Sequence, residues 1–182
     1  MKKFLAFFMP ILLALAIGAF GAFIQTHALE SWYPTLIKSP LTPPDFVFPI
    51  VWTLLYIMIG ISIGILIYRQ DMSVVRVWLI QLIVNFLWSV TFFAMRSPLL
   101  GLITILILDV LALTYAIYAF GRSRTAGWLF VPYVLWLLFA TYLVGYIYLN
   151  NTPQKNSASN NHWTHYLPSR TLKESITTKY PC

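Results

Sequence analysis

The chain has 182 residues, of which 59% are apolar and 9% are charged, and its mean hydropathy is +0.75. About a quarter of the residues in soluble domains are charged, so this composition excludes a soluble globular protein. The net charge of +7 comes from Lys and Arg residues scattered singly between apolar runs, which argues against a nucleic-acid-binding surface. The single cysteine, Cys182, excludes an internal disulfide and a cysteine-based metal cluster.

Five apolar runs have the roughly 17 to 25 residues that a membrane-spanning helix needs. Helices are predicted because an open chain in lipid must pair its own backbone groups, and the alternating pattern of a membrane barrel is absent. The sequence therefore predicts an all-α, polytopic membrane protein in which residues 1–150 form a bundle of five transmembrane helices. The predicted spans are residues 4–24, 46–68, 77–95, 99–120 and 129–149.

The first run has a second interpretation as a secretory signal, because Lys2 and Lys3 precede it and the sequence THA follows at residues 26–28. Its apolar segment is longer than a signal core and no AxA cleavage site follows, so a retained helix is favoured. Basic residues near the span ends then favour an inside N-terminus, with the loop at residues 25–45 and the C-terminal tail outside.

The tail, residues 151–182, is polar and rich in Asn, Ser and Thr, so it is predicted to be disordered. His162 and His165 form an HxxH pair there. No third ligand lies within reach in the sequence, and no metal site is predicted.

The third span carries a polar and aromatic stripe, because Gln81, Asn85, Trp88 and Phe92 recur at spacings of four, three and four. Two amides in hydrocarbon are costly unless they face other helices or a cavity. Hydrogen bonding between helices is the first interpretation, and a polar contact for a ligand is the second. The stripe alone favours hydrogen bonding between helices.

The second and fifth spans carry aromatic side chains near the proline-rich segment at residues 39–49. Trp52 and Tyr56 lie one turn apart, where an interfacial aromatic belt is the simpler interpretation. Gly60 and Gly64 form a GxxxG sequence that predicts close helix packing. The fifth span shows a stripe of its own, formed by Pro132, Trp136, Phe139, Ala140 and Leu143.

Asp109, near the middle of the fourth span, has no partner base in the spans, so a structural or neutral role is favoured over a proton relay. No classical catalytic constellation is present in the sequence: there is no Ser-His-Asp set, no pair of carboxylates and no phosphate-binding loop.

Four segments, WYPTLIKSPLTPP, FPIVWTLLYIMIG, QLIVNFLWSVTFF and VPYVLWLLFATYL, resemble in order and spacing the signature segments of the tryptophan-rich sensory protein family. Animal members of this family are called translocator protein or peripheral benzodiazepine receptor. The resemblance covers residues 5–150. It implies a five-helix bundle in the bacterial cell membrane, often homodimeric, with a ligand pocket in the half covered by the first loop.

The resemblance also implies a porphyrin such as protoporphyrin IX as the ligand, without a required cofactor, and light-dependent porphyrin breakdown in some bacterial members. Trp52 and Trp136 are the residues predicted to take part in that chemistry. The pocket residues that it implies are Trp32, Tyr33, Pro43, Pro44, Trp52, Leu55, Asn85, Trp88, Phe92, Trp136, Phe139, Ala140 and Leu143.

Two positions depart from the family pattern: Leu41 stands where many members carry tryptophan, and Val144 where many carry asparagine. The animal sterol motif near the fifth span is not satisfied, so cholesterol binding is not predicted. Two functions remain open. The first is a porphyrin-binding sensor or scavenger, with or without light-dependent degradation. The second is a transporter of porphyrins or similar amphiphiles, although internal repeats and broken helices, which are typical of transporters, are not evident in the sequence.

Overall fold

The computed structural model describes residues 2–69 and 72–151. Within those residues every regular element is helical, which confirms the all-α prediction, and five helical segments are long and apolar enough to cross a membrane. The predicted disorder of residues 152–182 and the pair of histidines in the tail lie outside the described residues. The helices are α1 (Lys2–Ser31), α2 (Val47–Tyr68), α3 (Ser73–Ser89), α4 (Pro98–Arg122) and α5 (Arg124–Asn151).

The first helix continues to Ser31, past the predicted end at residue 24. Residues 25–31 contain neither proline nor glycine, so nothing in them stops the helix. The chain then leaves the helix beside Pro34, which has no N–H to donate. The connection to α2 is therefore residues 32–46, called the cover loop below, and it is shorter than predicted.

A π-helical turn, Val90–Ala94, follows α3 directly. The N–H of Met95 donates to the carbonyl of Val90 at 2.9 Å, so this turn is one residue wider than an α-helical turn. The wider turn allows two consecutive side chains, Phe92 and Phe93, to be buried inside the bundle. Such π-turns are frequent at functional sites, and this one borders the cavity described below.

Glycines bring α1 and α2 into close contact. A Cβ atom built on Gly60 would lie 2.7 Å from the Cα of Ile11, and one built on Gly64 would lie 3.0 Å from the carbonyl oxygen of Ala6. Only glycine permits this approach, so the close packing predicted from the GxxxG sequence is present, and α1 is the partner helix.

The half of the bundle far from the cover loop, called the core half below, is filled by a continuous apolar core. Tyr115, Phe130 and Tyr133 are fully buried in it. Ser62 joins α2 to α5 there, because its hydroxyl donates to the carbonyl of Ala126 at 2.8 Å. The half beneath the cover loop, called the loop half, contains a smaller apolar cluster beside an open cavity.

Asp109 is buried between α4 and α5, where its Oδ2 accepts a hydrogen bond from the hydroxyl of Thr141 at 2.7 Å. This bond joins two neighbouring helices, and the structural role favoured for this acid stays a prediction.

Candidate functional site: a cavity beneath the cover loop

A cavity of about 430 Å³ lies in the loop half, between α1, α2, α3 and α5, with the cover loop over it. Its volume falls in the range of roughly 300 to 1,000 Å³ that is usual for small-molecule sites. The side chains that line it are Gly18, Ala22, Gln25 and Leu29 from α1; Tyr33, Pro34, Lys38 and Asp45 from the cover loop; Phe48, Pro49, Trp52 and Tyr56 from α2; Asn85, Trp88, Ser89, Phe92 and Phe93 from α3 and the π-turn; and Ala140, Leu143, Val144 and Ile147 from α5.

Two pairs of stacked rings form part of the cavity lining. On α2, Trp52 stacks on Tyr56 with ring centroids 5.5 Å apart and an interplanar angle of 28°. Trp88, near the end of α3, stacks on Phe92 of the π-turn with centroids 5.5 Å apart and an angle of 9°. Residues four apart lie above one another on a helix, which is why each pair can stack. The cavity therefore offers flat aromatic surfaces on two neighbouring helices.

A hydrogen-bonded network leads from the cavity into the core half. The hydroxyl of Tyr56 donates to Oδ1 of Asn85 at 2.7 Å, and Nδ2 of Asn85 donates to the hydroxyl of Tyr133 at 3.1 Å. The Tyr133 hydroxyl in turn donates to Oε1 of Gln81 at 2.8 Å. Gln81 thus bonds to another helix, as the first interpretation of the stripe predicts. Asn85 does so as well, and it also lines the cavity.

Three hydrogen bonds attach the cover loop to α5. The side-chain amide of Asn151 accepts from the N–H of Ile37 at 2.9 Å and donates to the carbonyl of Ile37 at 3.0 Å. The hydroxyls of Ser39 and Tyr142 lie 3.0 Å apart. These bonds hold the loop over the cavity, and α2 begins after the N–H of Val47 donates to the carbonyl of Pro44 at 2.9 Å.

Two charged side chains line the cavity, Lys38 and Asp45, and both belong to the cover loop. The ammonium group of Lys38 donates to the carbonyl of Tyr33 at 3.2 Å and lies 4.5 Å from the centre of the Tyr33 ring. Burial, together with the nearby negative charge of Asp45, raises the pKa of the Tyr33 hydroxyl to about 12. Tyr33 is therefore a neutral donor at physiological pH.

The structure brings together a part of the predicted site. Leu55 is instead buried in the apolar core, and Trp32 packs edge-on against the ring of Phe92, with centroids 5.5 Å apart, behind the lining. The predicted residues that line the cavity are Tyr33, Trp52, Asn85, Trp88, Phe92, Ala140 and Leu143; those that do not are Trp32, Pro43, Pro44, Leu55, Trp136 and Phe139.

Trp136, predicted with Trp52 to take part in chemistry, does not line the cavity. Its ring packs edge-on against Phe48, with centroids 5.9 Å apart, and against Phe139 at 5.6 Å. Phe48 is the residue of this cluster that lines the cavity. Ala140, which was also predicted and lies one turn further along α5, does line the cavity.

The whole contribution of α1 was missing from the predicted site. Gly18, Ala22, Gln25 and Leu29 recur at spacings of four, three and four, and the first three are small or polar. That stripe of small and polar residues was a signal that sequence reasoning overlooked. Phe93 was missed for another reason, because an ideal α-helix would turn it away from Phe92, and the π-turn does not.

The sequence profile of the TspO/MBR family matches residues 10–149. The chain is 40% identical over 144 residues to the tryptophan-rich protein TspO of Archaeoglobus fulgidus, which covers 78% of this chain and 94% of the relative. It is 38% identical to the protein of the same name from Chlorobaculum tepidum, over 78% of this chain and 93% of the relative. Identity to the human translocator protein is 30%, over 72% of this chain and 82% of the relative.

These matches confirm the resemblance, and with the five apolar helices they make the chain a multi-pass membrane protein. It belongs to the TspO/MBR family.

Proposed function

We propose that this protein binds a porphyrin or another tetrapyrrole in the cavity and acts as a membrane-embedded sensor or scavenger of that ligand. The observation that carries the proposal is the pair of aromatic stacks, Trp52 on Tyr56 and Trp88 on Phe92, that border one cavity of about 430 Å³. A flat and mostly apolar macrocycle gains both buried area and ring stacking against such surfaces. The proposal places this protein in the bacterial cell membrane as a homodimer, as the family resemblance implies.

Polar groups in the cavity are few, which suits a ligand of this kind. Asn85 and Tyr56 are bonded to each other, so they present a neutral surface without a strong unpaired donor. The amide of Gln25 donates to the hydroxyl of Ser89 at 2.7 Å, which leaves the serine proton available to a ligand. Small numbers of placed polar groups orient a ligand, while the apolar walls supply most of the affinity.

A titration of the purified protein with protoporphyrin IX tests the proposal, with tryptophan emission as the readout. We expect saturable quenching, and we expect Trp88→Ala to weaken binding about ten-fold, because ring stacking and buried area are both lost. Trp128→Ala is the matched control, since that ring is 65% exposed and lies away from the cavity. Quenching that does not saturate would contradict a specific site. Equal affinities of Trp88→Ala and Trp128→Ala for the porphyrin would contradict it as well.

Light-dependent breakdown of the bound porphyrin is the second part of the proposal. Indole is the most easily oxidised aromatic side chain, and Trp52 and Trp88 are the indoles that line the cavity. The chemistry would therefore depend on these two rings more than on Trp136, which packs behind Phe48. Absorption spectra of the complex in light and in darkness test this part. If the spectrum does not change in light, only the binding part of the proposal stands.

Transport remains the alternative function, and the name translocator protein belongs to two of the similar proteins. Passage to the opposite membrane face would require a path through the core half. Tyr133, Gln81 and Leu82 close that path and are fully buried. A binding role needs no such rearrangement, which is why we favour it. Uptake into sealed vesicles would show transport, whereas binding alone would be measured equally well in detergent.

A further inference from the structure

We propose that the cavity selects ligands that carry an acidic group, and that Lys38 binds this group. The inference rests on the proposed function and specifies the class of ligand. Lys38 is half-buried, lines the cavity and is the one basic residue to do so within residues 2–69 and 72–151. A carboxylate that enters an apolar cavity needs an opposite charge or several donors, because an unpaired buried charge is costly.

The position of the Lys38 ammonium group is defined by contacts within the cover loop. It donates to the carbonyl of Tyr33 at 3.2 Å, and it lies 4.5 Å from the centre of the same residue's ring. An ammonium group has three N–H donors, and the Tyr33 carbonyl occupies one of them. The side chain is thus held at the cavity with donors left for an acid, so little conformational entropy is lost when a ligand binds.

Asp45 is the second charge at the cavity, and it lies on the exposed surface of the cover loop. Among the residues that the structure describes, Lys38 contacts Tyr33 rather than Asp45, so no close ion pair within them neutralises its ammonium group. Water screens an exposed carboxylate well, and its repulsion of a ligand acid is correspondingly weak. Removing Asp45 should therefore strengthen the binding of acids slightly.

The deep end of the cavity gives the ligand its orientation. Asn85 is buried there; its amide oxygen accepts from the hydroxyl of Tyr56, and its amide nitrogen donates to the hydroxyl of Tyr133. An acid placed at that end would meet no charge. The acid therefore lies beneath the cover loop beside Lys38, and the apolar body lies between the aromatic stacks. The ligand class that follows is a planar amphiphile with one or more carboxylates along one edge.

Two probes separate this inference from the proposed function. Protoporphyrin IX has two carboxylates on one edge of its ring, and its dimethyl ester keeps the ring but lacks both charges. Each probe is titrated in the same detergent against the wild type, Lys38→Met, Lys38→Arg and Asp45→Asn. Arg76→Met is the charge control, because it removes an exposed positive charge at the other end of the bundle.

We expect the wild type to prefer the diacid to the ester about ten-fold, since a charge-assisted hydrogen bond in a partly buried site is stronger than an exposed pair. Lys38→Met should abolish this preference by weakening the diacid alone, and its binding of the ester shows that the variant is folded. Lys38→Arg should keep the preference, and Asp45→Asn should raise it about two-fold as a weak exposed repulsion is removed. Arg76→Met should match the wild type.

Equal binding of both probes by the wild type would overturn the role of Lys38 and leave porphyrin binding intact. The same conclusion would follow if Lys38→Met weakened the diacid and the ester equally. If neither probe binds saturably, the proposed function fails, and the inference fails with it.

Discussion

The core half and the loop half of the bundle use the same helices for different purposes. In the core half, aromatic side chains such as Phe130 and Tyr115 fill the space between helices, with ring centroids 4.2 Å apart. In the loop half, the small residues Gly18 and Ala22 of α1 border an open cavity. The comparison indicates that stability is concentrated in one half of the molecule and ligand binding in the other. Substitutions in each half should therefore have separable effects.

The largest expected effect comes from opening the close contact of α1 and α2. We predict that Gly60→Val destabilises the protein by about 3 kcal/mol or more, because its side chain would collide with the backbone of Ile11 and overpacking forces the helices apart. Thermal unfolding in detergent measures the loss. Gly121→Ala is the control, since nothing lies within 4 Å of a Cβ atom at that position. Equal stability of the two variants would show that α1 is not a rigid part of the bundle.

A smaller loss of stability is expected from a substitution where the two halves meet. Tyr133→Phe removes the hydroxyl that accepts from Asn85 and donates to Gln81. Two buried amides would lose a partner, and we expect a loss of about 1 to 3 kcal/mol in the free energy of unfolding. Tyr118→Phe, at an exposed position, should change stability little.

The Tyr133 substitution also sharpens the comparison between the halves, because Asn85 lines the cavity. If the halves are coupled, porphyrin affinity falls together with stability in Tyr133→Phe. If affinity is unchanged while stability falls, the two halves are energetically separate.

Within the loop half, we expect a tryptophan substitution to slow light-dependent porphyrin loss more when the ring lines the cavity than when it lies behind the lining. We expect Trp52→Phe to slow porphyrin loss about ten-fold at saturating ligand, while affinity falls less, because a phenyl ring still stacks on the macrocycle. Trp136→Phe should have a smaller effect, since Phe48 separates this ring from the cavity lining. Absorbance during illumination is the measurement. Equal losses in Trp52→Phe, Trp136→Phe and the exposed control Trp128→Phe would indicate photosensitisation in bulk solution instead of a site.

The smallest effect is expected on the rates of ligand binding and release, when the attachment of the cover loop to α5 is weakened. Asn151→Ala removes both hydrogen bonds to Ile37, and we expect ligand association and dissociation to accelerate about three-fold each, since each bond contributes about 0.5 to 1.5 kcal/mol. The dissociation constant should hardly change, because the cavity walls stay intact. Stopped-flow quenching measures both rates. Thr114→Ala is the control, since the hydroxyl of Thr114 donates to the carbonyl of Val110 at 2.7 Å within α4. An unchanged dissociation rate in Asn151→Ala would show that ligand does not leave past the cover loop.

The helices and their membrane location could be predicted from the sequence because they depend on local properties. An apolar run of sufficient length must form a helix in lipid wherever its neighbours lie. The stripe of Asn85, Trp88 and Phe92 was equally predictable, because helical spacing alone puts these side chains on one face. Gly60 and Gly64 also indicated a close contact, although not which helix would make it.

The tertiary structure decided which faces meet at the cavity. Helix spacing says which residues share a face, but the rotation of each helix in the bundle depends on packing against all its neighbours. That rotation turns Gln25 of α1 into the cavity and leaves Trp136 behind Phe48. The π-turn that buries Phe93 is likewise a departure from regular spacing that no periodic pattern predicts. The sequence determined five membrane helices and, with the family resemblance, part of the lining on α2, α3 and α5; the packing of those helices added the wall formed by α1 and excluded Leu55 and Trp136.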